Sequence, residues 1–414
     1  MTRARAARLT AALCGLLASL LLAELGLRLV IPALSPSGRI AQTVGRAVEL
    51  LPLTYDQGAI DRIALGQAYI TFDPDLGWVS TPGVDRIGIG NQGREVHYRH
   101  NRAGQRADRD YAPTPSLGVR RIAAYGDSFT YCETVDMSDC WTRQLEDLLP
   151  NSEALNFGVP AYGPDQAWLR YQRGGAAWHP CAVLIGYLTE NVNRAINRFR
   201  PFYYPAPDTF PLAKPRYIIE GNHLELLTSP ARRPDDLKDP AWVEANLGPH
   251  DFWYFPGMFA IQPLDWLDVA RLLRTAHYRF EDAAAHRQAG QWTPSWARQI
   301  YRPGTEGFDV TARVLVDFAE QVRADGAVPV VLVFPLQVEI ELQRAGGPKP
   351  HAGLLELLRQ QHIPTIDLTD SLAEQADRSG LGELMLGHYG PLGNAVVART
   401  VADQLPGLTS DTCG

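Results

Sequence analysis

The chain has 414 residues, 45% of them hydrophobic, with 39 lysines and arginines against 46 aspartates and glutamates and a net charge of −7. That length accommodates one large domain or two smaller ones, and that hydrophobic share supports a packed core. The negative balance, with no basic cluster beyond the N-terminus, excludes nucleic-acid binding as the main task.

Arg3, Arg5 and Arg8 precede an apolar run from Leu9 to Ala23 whose only polar members are Thr10 and Ser19. Glu24 and Arg28 follow, then Leu29 to Leu34. A helix from Leu9 to Leu34 reaches roughly 39 Å, enough to cross a bilayer with tilt. Glu24 and Arg28, four apart, can pair on one helix face near the outer interface. The early arginines place the N-terminus in the cytoplasm and the rest outside. No Ala-x-Ala site ends the apolar run, so the sequence predicts an uncleaved anchor in preference to a signal peptide. Leu13 before Cys14 argues against a lipoprotein site.

Residues 35–118 read as a membrane-proximal segment with scattered turns. In 119–192 the pattern becomes α/β: strands over Ile122–Tyr125, Ala154–Asn156 and Val183–Tyr187, with helices over Cys140–Leu149 and Pro164–Gly175. The first strand ends in Gly126-Asp127-Ser128. Gly126 permits a tight turn. Asp127 and Ser128 can then open the next helix, where free N–H groups point outward, at the carboxyl edge of a sheet. Asp-Ser after a strand is also an ordinary N-cap. Cys132 and Cys140 bracket a seven-residue loop beside this turn, and an extracytoplasmic domain permits a bridge between them. Cys181 reads as a small residue at a strand start, Cys413 lies on a tail, and no spacing suggests zinc.

Residues 193–307 are irregular and aromatic, with a hairpin over Pro215–Leu227 around Gly221-Asn222 and helical periodicity over Leu264–Arg287. This insertion follows Asn191 directly, so it can serve as a lid or substrate wall, or as a subdomain resting on the sheet edge. Residues 308–405 resume the alternation: helices over Val310–Ala324, Leu354–Gln361 and Ala395–Gln404, with strands over Val328–Phe334 and Thr365–Asp367. Strands alternating with helices imply a parallel sheet covered on both faces.

Ser128, the turn Asn156-Phe-Gly-Val-Pro-Ala-Tyr-Gly163, Asn191 after the Val183–Tyr187 strand, and His388 in Gly387-His-Tyr-Gly-Pro-Leu-Gly-Asn394 occur in an order that resembles the SGNH (GDSL-like) hydrolase family. Phe72-Asp-Pro-Asp-Leu-Gly-Trp78, His100-Asn-Arg-Ala-Gly-Gln-Arg106 and Ile366-Asp-Leu extend the resemblance over most of the chain. It implies a three-layer α/β/α fold with a parallel, flavodoxin-like sheet, here with an N-terminal transmembrane helix and a large aromatic-rich insertion. The implied division is 1–34 cytoplasmic tip and anchor, 35–118 membrane-proximal segment, 119–192 with 308–414 catalytic domain, and 193–307 insertion or lid. The family commonly begins with such an anchor, which implies a single-pass inner-membrane protein with a periplasmic catalytic domain.

The resemblance implies that Ser128 is the nucleophile and His388 the base, with Gly126 and Asp127 supporting the turn. The N–H groups of Ser128 and Ala161 and the side chain of Asn191 would hold the oxyanion. It implies no cofactor. Three positions depart from the family pattern. Ala161 stands where the oxyanion glycine is usual, and its N–H donates provided φ is negative. Val192 replaces an acidic residue after the asparagine. Leu386 and Met385 stand where an aspartate would orient the histidine, leaving Glu383 or Asp367 as substitutes, or a backbone carbonyl. The expected activity is that of an esterase or O-acyltransferase on ester-linked acyl groups, acetyl among them, of an extracytoplasmic polysaccharide or a small ester. The rival is a catalytically degenerate carbohydrate-binding or assembly protein on the same scaffold. The sequence leaves the oligomeric state open.

Overall fold

The structure, a computed structural model, describes residues 3–34, 49–90, 93–205, 210–289 and 301–409. Cys413 lies outside them. Five short apolar runs form one parallel sheet: β1 (Arg120–Tyr125), β2 (Ser152–Asn156), β3 (Ala182–Leu188), β4 (Val328–Phe334) and β5 (Thr365–Asp367). Their order is β2-β1-β3-β4-β5, the order of flavodoxin-like sheets. Every residue of β3 is buried. Successive side chains alternate between two cores: Ala123, Tyr125, Val183 and Ile185 enter one, and Ile122, Ala124, Leu184 and Leu188 the other. A strand covered on both faces must be apolar at both parities, which is why these strands read as continuous apolar runs.

Seven helices matter here: α1 (Arg3–Leu34), α2 (Trp141–Leu148), α3 (Pro164–Gln172), α4 (Asp268–Ala289), α5 (Glu306–Ala324), α6 (Thr369–Ser379) and α7 (Pro391–Thr409). α3 and α5 cover the first face. In α5, Val310, Val314, Leu315, Phe318 and Val322 recur at helical spacing and are buried. α2, α6 and α7 cover the second face through Trp141, Leu145, Leu372, Val397 and Val401. The chain runs outward from β1 to β2, then crosses back to β3 and proceeds to β5. The carboxyl ends of β1 and β3 therefore flank the point where strand order reverses, where open α/β sheets form a crevice.

The hairpin expected around Gly221 forms between Arg216–Glu220 and His223–Leu227. Two further hairpins, Ile70–Ser80 and Asp85–Arg99, lie upstream. Among the described residues of 193–307, most aromatic side chains are spent on packing. Phe199, Phe202 and Phe259 are buried in one core with Leu51, Leu53 and Tyr55, upstream of the sheet. Tyr55 meets Phe199 and Phe259 edge-on at 5.3 and 5.1 Å.

α1 contains a stretch, Ala7–Leu34, long and apolar enough to cross a membrane, with mean hydropathy 2.0. Arg28 Nε donates to Glu24 Oε1 at 2.8 Å, the expected pair. Glu24 does more than pair: its carboxylate accepts the N–H groups of Asp268 and Val269 at 3.1 and 3.0 Å and so caps α4. Cys132 and Cys140 are bridged. Cys181 is also disulfide-bonded, which corrects its reading as merely a small residue.

Candidate active site

β1 ends in a buried turn that needs glycine. A Cβ on Gly126 would collide with Thr130 Oγ1 and the Gly186 carbonyl, and one on Gly186 would collide with the same hydroxyl. The two glycines let the one-turn helix Ser128–Tyr131 close against the sheet. Asp127 caps that helix, its Oδ1 accepting the Phe129 N–H at 2.9 Å. Asn156, at the end of β2, holds the turn from the other side. Its Nδ2 donates to Thr130 O at 2.7 Å and Thr142 Oγ1 at 3.2 Å, and its Oδ1 accepts the Gly158 N–H at 2.9 Å.

His388 arrives from the far end of the fold. It sits on a short turn in which Leu386 pairs with it across Gly387. Phe129 packs against the His388 and Tyr389 rings at 5.1 and 4.8 Å. Tyr389 donates to Pro335 O, and Asn394 in α7 donates to Tyr389 O. With the turn fixed this way, His388 Nε2 lies 2.8 Å from Ser128 Oγ. For the hydroxyl to donate, Nε2 must be the unprotonated ring nitrogen.

The two expected substitutes for the missing aspartate do not hold this ring. Asp367 is engaged by Lys349, His351 and Thr369. Burial would raise its pKa, but His351 and Lys349 outweigh that and hold the carboxyl well below the usual range. Glu383 is exposed and its carboxylate makes no hydrogen bond among the described residues. Among the described residues a carboxylate that does approach His388 is Glu133, whose Oε2 lies 3.6 Å from Nε2, the nitrogen that faces Ser128, and whose Oε1 accepts from Tyr69. Sequence reasoning missed it. Cys132 adopts a left-handed φ of 63° that ends the helix after one turn, and the Glu133 N–H folds back onto Ser128 O at 2.9 Å. No residue pattern around Cys132 announces that reversal.

Ala161 also corrects an expectation. Its φ is +65°, not negative. The cause is the turn Val159-Pro160-Ala161-Tyr162, closed by Tyr162 N–H to Val159 O at 3.2 Å. Proline at its second position and a positive φ at its third are the marks of a type II turn, which glycine usually occupies there. Trp78 Nε1 donates to Pro160 O at 2.9 Å. A trans peptide points its N–H opposite its carbonyl, so the Trp78 indole fixes the direction of the Ala161 N–H. Neither that N–H nor the one of Ser128 has an acceptor among the described residues.

Asn191 is less free than expected. Its Nδ2 donates to Asp127 Oδ2 at 3.1 Å, while its Oδ1 is buried without a partner among the described residues. The same Asp127 oxygen accepts from Arg194 Nη1 at 3.2 Å. Arg194 is in turn 2.6 Å from Glu190 Oε2. Burial pushes the Asp127 carboxyl upward against the pull of Arg194. For Glu190, burial also pushes upward, but Arg194 and Arg200 win and its pKa falls. Sequence reasoning found Asp127 but not Arg194, which lies three residues past Asn191 in the one-turn helix Asn191–Arg194.

No family model and no curated protein matches the sequence. Solved structures similar to it include a lipolytic protein of the G-D-S-L family from Desulfitobacterium hafniense DCB-2, at 11% identity over 68% of this chain and 98% of that one, TM-score 0.32. A catalytic mutant of an acetylxylan esterase from Geobacillus stearothermophilus is 10% identical over 69% and 94%, TM-score 0.36. The lipase/acylhydrolase from Enterococcus faecalis is 12% identical over 70% and 96%, TM-score 0.32. Likenesses of this size carry no argument about the chemistry of this chain, which follows from its own geometry.

Proposed function

We propose that this protein is a serine esterase or O-acyltransferase of the SGNH type, working through an acyl-enzyme on Ser128. The observation that carries the reading is the 2.8 Å approach of His388 Nε2 to Ser128 Oγ. His388 takes the hydroxyl proton as Oγ attacks the acyl carbonyl, and the new C–O bond leaves the former carbonyl oxygen negative. The outward N–H groups of Ser128 and Ala161 receive that oxygen, and Asn191 offers the amide hydrogen not spent on Asp127. As the intermediate collapses, the ester C–O bond breaks and His388 returns its proton to the departing alcohol. Water or an acceptor hydroxyl then repeats the sequence on the acyl-serine.

The substrate part of the proposal is ester-linked acyl groups, acetyl among them, on an extracytoplasmic polysaccharide. It rests on α1 as a single-pass inner-membrane anchor with residues after it in the periplasm. A degenerate, carbohydrate-binding protein is the second reading, favoured by the donation of Asn191 to Asp127. The test is p-nitrophenyl acetate turnover by the detergent-solubilised full chain beside Ser128→Ala and His388→Ala. Loss of at least about a hundredfold in both is expected. Equal rates in all three would leave the binding reading. Release of acyl groups from an O-acylated polysaccharide, with and without an acceptor glycan, then separates hydrolysis from transfer.

A further inference from the structure

We propose that α4 and the residues leading into it form a second membrane contact, lying along the outer face of the bilayer beside α1. The inference rests on α1 spanning the membrane and is independent of the chemistry at Ser128.

Three observations lead there. First, the approach to α4 and its outer face are apolar and exposed. Ile261, Leu264 and Trp266 are 82%, 58% and 68% exposed, and Leu272, Leu273 and Phe280 follow at helical spacing. On the opposite side of α4, Thr275 and Tyr278 are buried. A helix with an apolar stripe facing outward, flanked by Arg279 and His277, is suited to an interface between water and lipid. Scattered exposed leucines need no partner, but a continuous run of this kind does.

Second, the patch is continuous with the lipid-facing surface of α1. Glu24 caps α4 through the Asp268 and Val269 N–H groups, and Arg28 Nη2 donates to Trp266 O at 3.2 Å. Leu25 and Leu29, 60% and 80% exposed, sit on α1 at the same level. Whatever solvates α1 there therefore reaches Trp266.

Third, the depth fits. From Leu9 to Glu24 a helix rises roughly 23 Å, which leaves about 7 Å of a ~30 Å hydrocarbon core above Glu24. Interfacial helices lie about 5–10 Å into the headgroup and acyl boundary. Glu24 is tolerable at that depth because Arg28 and two backbone N–H groups satisfy it.

The experiment uses the full chain in vesicles of phosphatidylethanolamine and phosphatidylglycerol. Spin labels are placed one at a time by Leu273→Cys, Phe280→Cys and, as an aqueous reference, Leu117→Cys, each with Cys14→Ser. Cys14 is labelled in the otherwise unchanged chain to report on α1. All four positions are exposed, so the labels leave the core intact. The ratio of oxygen to nickel-chelate collision rates is expected to be several-fold higher at 273, 280 and 14 than at 117. A high ratio at 14 with values at 273 and 280 equal to that at 117 would overturn the proposal while leaving the span. A low ratio at 14 as well would remove the span and the proposal together.

Discussion

His100 offers the sharpest test of how the upstream segment is joined to the serine turn. Its Nδ1 lies 2.8 Å from Thr81 O and its Nε2 2.7 Å from Tyr131 Oη. A carbonyl only accepts, so Nδ1 carries the hydrogen and Nε2 accepts from Tyr131, the last residue of the Ser128 helix. The ring is buried, 4% exposed, and burial pushes its pKa down from 6.5 to about 4, with the Thr81 carbonyl pulling the other way and Arg106 and Arg170 adding to the fall. A proton would take away the acceptor of the Tyr131 hydroxyl hydrogen, turning Nε2 into a donor, and place a charge beside Arg106.

The direction follows from proton counting. The folded state binds fewer protons than the unfolded one between the two pKa values, so stability is lost as pH falls from about 6.5 towards 4. Between about pH 7.5 and pH 5.5 this one group should remove about 1.3 kcal/mol of unfolding free energy. The assay is urea unfolding of the full chain in detergent at both pH values, beside His100→Gln, which cannot titrate. The stability advantage of the wild type should shrink by that amount on acidification. An advantage unchanged between the two pH values would refute the neutral, Tyr131-bonded histidine.

Other perturbations follow from the same contacts. Trp78→Phe keeps an aromatic ring but deletes the donor to Pro160 O. It should cost roughly 1–3 kcal/mol and lower kcat about tenfold with little change in KM, and loss of stability without loss of kcat would remove Ala161 from the oxyanion site. Asn156→Ala leaves Thr130 O and Gly158 N–H without their partner and should destabilise by roughly 2–4 kcal/mol in thermal unfolding. The paired change Cys132→Ala with Cys140→Ala opens the loop beside Ser128 and should cost about 2.5 kcal/mol, read by urea midpoint under non-reducing conditions.

The parallel sheet was legible because β3 and β4, buried on both faces, leave apolar residues at both parities, and the helices between them keep their own period. Ser128 and His388 were legible through glycine-bounded turns at element ends, which pin the chain locally. What escaped depended on tertiary geometry. Glu133 reaches His388 only because Cys132 turns left-handed under a bridge to Cys140. Ala161 takes a positive φ because a proline-initiated turn is clamped by an indole from residue 78, more than eighty positions away. Glu24 read as a partner for Arg28, yet its oxygens also cap a helix that begins 244 residues later. Sequence spacing shows the i, i+4 pair but not the third participant.

The charge beneath the serine turn is gathered at Asp127 and Arg194. Among the described residues Asp127 carries the only fully buried carboxylate in direct contact with the serine turn, and it bonds to the helix that Ser128 opens, to Asn191 and to Arg194. Its Oδ1 caps the helix that Ser128 opens, and its Oδ2 holds Asn191 and Arg194. Arg194 also donates to Tyr162 O, the carbonyl next to Ala161. A shift of this carboxylate therefore moves the Ser128 helix and the Asn191 amide together. Such a joint makes the N–H groups rigid in the way electrostatic preorganisation requires. The ion pair with Arg194 counters part of the desolvation of Asp127, while the Glu190 carboxylate, itself paired with Arg194, adds to the upward push. A second carboxylate, Glu133, lies 3.6 Å from His388 Nε2 in the loop that follows the serine helix.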